Sequence, residues 1–126
     1  MSAEIVALDA ALARAGENIT IRRKAGTGQN QINIDVEVRA RVDWKRSDEM
    51  VGTLFQTWGE VILSPTQILA AQWPGGGPVS TVTDRTDPRI PRANDFAVIQ
   101  GKQRQILTSK PIIIGQWVRC ELTVVG

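Results

Sequence analysis

Between Ile32 and Trp44 apolar and polar residues alternate without a break. Ile32, Ile34, Val36, Val38, Ala40, Val42 and Trp44 are apolar, and Asn33, Asp35, Glu37, Arg39, Arg41 and Asp43 between them are polar. This period of two predicts a strand with one face in a core and the other in water or an interface. Fully extended, it would span about 43 Å at about 3.3 Å per residue. A strand of that length must bend round a barrel or sandwich edge, or project beyond the core. Its parity places Trp44 in the core.

The other elements follow from shorter patterns. Residues 2–15 read as a helix with one apolar stripe, Ile5, Leu8 and Leu12. Ser2 stands at its N-cap, Arg14 in its last turn and Gly16 just past its end. One stripe cannot hold so short a helix in water, so it must dock on its own domain or on a neighbouring chain. "NITIRRK" reads as a strand with Ile19 and Ile21 on one face, and "AGTGQN" as the turn into the long strand. "TLFQTWGEVILS" is a third strand region, bent at Gly59. "SPTQ" starts a short internal helix, with Ser64 as N-cap, Pro65 at N1 and Gln67 closing a capping box. It stops before Trp73-Pro74, because a residue preceding proline avoids the helical region. "DFAVIQGKQRQILT" reads as a hairpin turning at Gln100-Gly101-Lys102. "KPIIIGQWVRCELTVV" turns at Gly115-Gln116 into a last strand with Val118, Cys120, Leu122 and Val124 inward.

Hairpin-linked strands without alternating helices predict a mainly β chain. It is an antiparallel β-barrel or sandwich of about six strands, with an N-terminal helix, a short internal helix and a long Pro/Gly-rich loop over 73–94. Its 126 residues suit one domain, 1–126. The loop, "WPGGGPVSTVTDRTDPRIPRAN", holds four of the six prolines, and its aliphatic residues are few. It reads as an extended arm ordered by partners.

Composition narrows the chemistry. There is no histidine, which removes the commonest general base and most zinc sites. The single cysteine, Cys120, lies among apolar strand residues and reads as a buried, inert thiol. "AGTGQN" and "PGGGP" lack the lysine and following helix of a phosphate loop. Asp35, Glu37 and Asp43 share a strand face with Arg39 and Arg41, so cross-strand ion pairing accounts for them better than a metal does. No catalytic, cofactor or metal set emerges, and no enzyme is expected. The chain has no membrane-length apolar run and begins without the pattern of a signal peptide, so an intracellular product is expected.

The net charge is +2, and its excess lies in the first 46 residues. Arg22, Arg23 and Lys24 form one basic run, and Lys45 with Arg46 another. A solvated turn explains each; the functional alternative is contact with nucleic-acid phosphates. An oligonucleotide-binding barrel would also need exposed aromatic platforms. Trp73, at the loop's edge, and Trp117, beside a turn, are the better candidates for exposure.

The order of parts resembles a known family. The helix "DAALARAG", the pair "ITIRRK" and "INIDVEVRARV", "SPTQI", the long loop and the closing "PRANDFAVIQGKQRQIL" with "VRCELTVVG" look like the head-closure (stopper, head completion) proteins that join head to tail in tailed bacteriophages. In that family a residue pair ending in Asp opens the closing hairpin; here it is Asn94-Asp95, where asparagine tolerates a left-handed backbone. The resemblance implies a structural β-barrel or β-sandwich subunit that forms a homo-oligomeric ring in the virion neck, made in the host cytoplasm. The ring would lie between the portal or its adaptor and the tail-side proteins. By position, the loop-interface role falls on Trp73, Pro74, Gly75, Gly76, Gly77, Val79, Val82, Arg85, Arg89, Ile90 and Arg92. The docking role falls on Ile5, Leu8 and Leu12. Arg22, Arg23, Lys24, Lys45 and Arg46 are candidates to face packaged DNA. The alternatives are a tail terminator or minor tail subunit and, in another class, an OB-like nucleic-acid-binding module.

Overall fold

The computed structural model describes residues 3–51, 54–75 and 80–125, with backbone alone at 46–51 and 54–56. The element order is α1 (Ala3–Ala15), β1 (Glu17–Ala25), a short 3-10 turn, β2 (Ile32–Val51), β3 (Leu54–Leu63), α2 (Thr66–Ala70), β4 (Phe96–Ile99), β5 (Lys102–Ile114) and β6 (Gln116–Val125). The six strands close into one antiparallel barrel in the order β1-β2-β3-β6-β5-β4. Closure protects the strand edges where the strands pair; its shortest link, β1 with β4, runs over Thr20–Arg22.

β2 organises the barrel. Its first half, to Ala40, pairs with β1, and from Ala40 onward it pairs with β3. Both expected solutions for a strand of this length are therefore present: it curves through the wall, then leaves it. Among the described residues β6 meets β3 as far as Trp58↔Val125. Beyond that point, among the described residues, β2 and β3 pair only with each other, out to Val51↔Leu54, with a register shift between Arg46 and Met50. On its shorter side, Leu54–Thr57, this two-stranded ribbon advances about 13 Å past the barrel, at about 3.3 Å per residue.

The alternating faces fill the interior. Ile19, Ile21, Val36, Val38, Ala40, Val61, Leu63, Ala97, Ile99, Ile106, Cys120, Leu122 and Val124 belong to one buried cluster. Trp44 lies on that inward face, but at the barrel mouth, where it remains 39% exposed. This corrects its assignment to the core: parity fixes the face of a strand residue, not its depth. Gly59 sits within the continuous β2–β3 pairing. It is the cross-strand partner of Trp44, and a Cβ there would come within 2.8 Å of the Trp44 ring. At the start of β6 the register shifts between Ile112 and Ile113, and Val118 is the extra residue. The shift turns Trp117 into the core at 1% exposure. Val118 is buried too, but lines a groove beside Leu8 and Ala11 of α1.

α1 docks on its own domain, against β2 and β6, with Ile5 and Leu12 buried and Leu8 half-buried. Arg39 donates from Nε to the Leu12 carbonyl at 2.9 Å and from Nη2 to that of Ala13 at 3.4 Å, placing a cation on the helix C-terminus. Gly16 is required by close approach. A Cβ would meet the Leu12 oxygen at 2.6 Å and the Ala40 oxygen at 2.9 Å, both backbone atoms that cannot give way. The α2 start differs slightly from expectation. Pro65 is the N-cap, Ser64 Oγ accepts from the Thr66 N–H at 3.1 Å, and the Gln67 side-chain oxygen makes no capping bond.

Candidate functional site: the folded loop and the outer face

The barrel has two differently closed ends. One is covered by α2 and the loop; the other carries Trp44, Arg104 and the ribbon.

The loop end is built round Arg23. It falls on the parity of Ile19 and Ile21, so β1 drives its guanidinium inward. Nε donates to Asp95 Oδ1 at 2.9 Å and Nη2 to Oδ2 at 2.8 Å, a two-point pairing of side chains only 10% and 5% exposed. Nη1 donates to the Pro88 carbonyl at 2.6 Å and Nη2 to that of Ile90 at 3.3 Å. The guanidinium also stacks on Trp73, 4.5 Å from the ring centroid. The Trp73 indole N–H donates to the Ile34 carbonyl at 2.9 Å. Asp95 accepts as well from the Arg92 N–H at 3.0 Å. Asn94 takes φ of +75°, the left-handed conformation asparagine tolerates, and pairs its N–H with the Ile106 carbonyl at 3.1 Å.

A second arginine repeats the device. Arg89, 5% exposed, donates to both oxygens of Asp87, at 3.0 and 2.9 Å, and to the Ser80 carbonyl at 2.6 Å. Val82 and Ile90 enter the core cluster beside Trp73, and the Trp117 N–H donates to the Val82 carbonyl at 2.7 Å. Ser109 Oγ donates to the Pro91 carbonyl at 2.5 Å.

These contacts correct the reading of the loop as an arm waiting for partners. Trp73, Val82, Arg89 and Ile90 are buried in their own chain, and Pro74 is half-buried. Gly75, Arg85 and Arg92 are exposed. Gly76, Gly77 and Val79 lie outside the described residues. The DNA-facing set also divides. Arg23 is buried against Asp95, which removes it. Arg22 is tied to Asp35 at 2.9 Å and to Gln103 at 3.1 Å. Lys24 lies over the Phe96 ring at 4.9 Å. Lys45 makes a 3.5 Å exposed ion pair with Asp43 at the ribbon base, and the Arg46 side chain is outside the described residues. Trp73 and Trp117, expected near the surface, are both interior. Of the expected strand-face ion pairs, Arg22 serves Asp35, while Arg39 goes to the helix carbonyls instead. The stripe Ile5, Leu8 and Leu12 seats α1 on its own barrel.

No protein-family model and no curated protein matches this chain. Its surfaces therefore carry the functional reading. Near the ribbon base, Trp58, Leu107 and Val125, with Thr57 and Thr123, line a shallow outer cavity of about 550 Å³. Leu107 is 46% exposed. It is the extra residue where β5 shifts register against β6 between Ile106 and Thr108. At the other end of β5, Ile114 is 59% exposed beside α1. At the mouth, Arg104 stacks on Trp44 at 4.3 Å. Among the described residues no cluster of three or more His, Cys, Asp or Glu could hold a metal ion. Burial pushes the Cys120 thiol up to about 11, so it is protonated at neutral pH. No helix among the described residues is long and apolar enough to cross a membrane.

The Asp87–Arg89 pair gives a pH prediction. Hydrogen bonds from the Arg89 side chain hold the Asp87 carboxyl below its ordinary value. A carboxylate depressed in the folded state adds stability above the unfolded value of about 3.9, and that stability is lost as pH falls through the folded value. Carbon-detected NMR should find the Asp87 carboxyl titrating below about 3.9 in the native protein, and the Arg89→Gln change should move it upward.

Proposed function

We propose that this chain is a structural subunit of the neck of a tailed-phage virion, a ring-forming head–tail connector of the head-closure type, and not an enzyme. Its partners are copies of itself in a ring, the portal or its adaptor, and tail-side proteins. The observation that carries this reading is the β2–β3 ribbon standing clear of a closed barrel. A rigid barrel bearing one projecting arm is suited to building a ring wall while reaching a neighbour or the lumen. The arm role, expected of the loop, belongs to the ribbon, because the loop is spent on closing the barrel. The apolar outer cavity at Trp58, Leu107 and Val125 lies at the ribbon's base and supports a protein–protein contact there. The nucleic-acid reading loses support, since Arg23, Trp73 and Trp117 are buried and Arg22 is paired.

Replacing Ser47–Gln56 by a two-residue Asn-Gly turn tests the proposal. The barrel should keep its fold, since no core strand pairing is touched. In the phage that carries the gene, DNA-filled heads and free tails should accumulate unjoined. Normal yields of infectious particles would overturn the reading.

A further inference from the structure

The loop leaves two of its arginines unspent. Arg89 is taken by Asp87 and the Ser80 carbonyl, and Asp95 is taken by Arg23. Asp84 accepts from the Thr86 N–H and hydroxyl, both at 2.9 Å. Arg85 and Arg92 are exposed, and neither side chain has a partner among the described residues. Both line one groove of about 380 Å³. Its floor is apolar: Ile90, Pro91 and Pro111, all buried, with Ser109 beside them. The groove is also preorganised. The Arg23 clasp fixes the carbonyls of Pro88 and Ile90, and Ser109 fixes that of Pro91.

We infer that this groove docks an extended acidic peptide segment of a partner protein. Two free guanidiniums flanking an apolar floor match carboxylates spaced along a chain whose intervening side chains need cover. The site suits a peptide better than a nucleic-acid backbone. Two phosphate contacts release too few counterions to bind a duplex, and a phosphate chain has no use for a proline-lined floor. Asp87 also lines the groove, but its carboxylate is paired with Arg89, as that of Asp95 is with Arg23; Asp84 is the exposed carboxylate next to Arg85 in sequence. The inference does not rest on the connector reading: it concerns binding by the isolated chain, whereas that reading is tested by particle assembly.

The test is an amide and arginine side-chain NMR titration of the full chain in low salt. The probes are hexaglutamate, hexaglutamine and a short DNA duplex. Hexaglutamate should shift the Arg85 and Arg92 side-chain signals together with the Ile90 and Ser109 amides, and hexaglutamine should not. The double change Arg85→Glu with Arg92→Glu, at two exposed positions, should weaken hexaglutamate binding by about tenfold or more. Unchanged binding by that folded variant, shifts confined to other surfaces, or stronger binding of the duplex at these residues would each overturn the inference.

Discussion

Arg23→Met should destabilise the domain by about 3–5 kcal/mol, the scale for breaking a buried charge pair by removing one partner. That corresponds to a fall in Tm of about 10–20 °C for a domain of this size. The reason lies in what remains. Asp95 would stay 4% exposed with its cation gone, and the carbonyls of Pro88 and Ile90 would lose their donor. Trp73 would lose the stacked guanidinium at 4.5 Å. Chemical denaturation of the variant and of Asp95→Asn, completed by the double variant, would give the coupling between the two residues. A loss below about 1 kcal/mol would show the clasp to be incidental. Replacing both partners by apolar residues should recover part of the stability, because the desolvated charges then disappear together.

The second large effect concerns the loop itself. Deleting Gly75–Arg89 should abolish cooperative folding or leave the barrel barely stable. The deletion removes Val82 from the core, worth about 1.5–3 kcal/mol as buried apolar surface. It strips the Trp117 N–H of its acceptor at 2.7 Å, leaving a buried donor unsatisfied at a further cost of about 1–3 kcal/mol. It also removes Pro88, one of the carbonyls that satisfy Arg23. Together these approach the lower end of the stability of an ordinary domain, about 5–15 kcal/mol. Near-ultraviolet circular dichroism and a thermal melt would check it. A sharp transition near the parent Tm would mean that the loop is dispensable. The ribbon replacement should behave in the opposite way, since among the described residues the ribbon pairs only with itself beyond Trp58↔Val125.

Much of the barrel was legible in the sequence because strand parity is a local signal. The alternation over 32–44, the hairpin at Gln100-Gly101 and the inward set Cys120, Leu122 and Val124 all follow from neighbours one or two residues apart. The loop was not legible for the opposite reason. Val82 and Ile90 have no shared period with any element, so their burial depends on contacts with Trp73 and Trp117, set by the closed topology. The Arg23–Asp95 pair spans 72 residues of chain, beyond the reach of any local pattern. One signal was available: Arg23 occupies the apolar parity of its strand, and an arginine there must find an anion inside. The same logic applies to Arg89, which follows Asp87 by two residues in an otherwise polar stretch. Trp44 and Trp117 show the limits of parity, the first at a barrel mouth, the second across a bulge.

The claim that the loop is part of the barrel, rather than an arm ordered by partners, is open to one direct measurement. Hydrogen exchange on the isolated chain reads the amides of Ile90, Arg92, Asn94, Asp95 and Trp117, which donate to Asp87, Asp95, Ile106, Arg92 and Val82 in turn. If the loop closes the barrel, Asn94, Asp95 and Trp117 exchange only with global unfolding, and Ile90 and Arg92 are protected well above a free chain. Exchange of Ile90, Arg92 and Asp95 at unprotected rates, beside slow exchange in β1, β2 and β6, would contradict it.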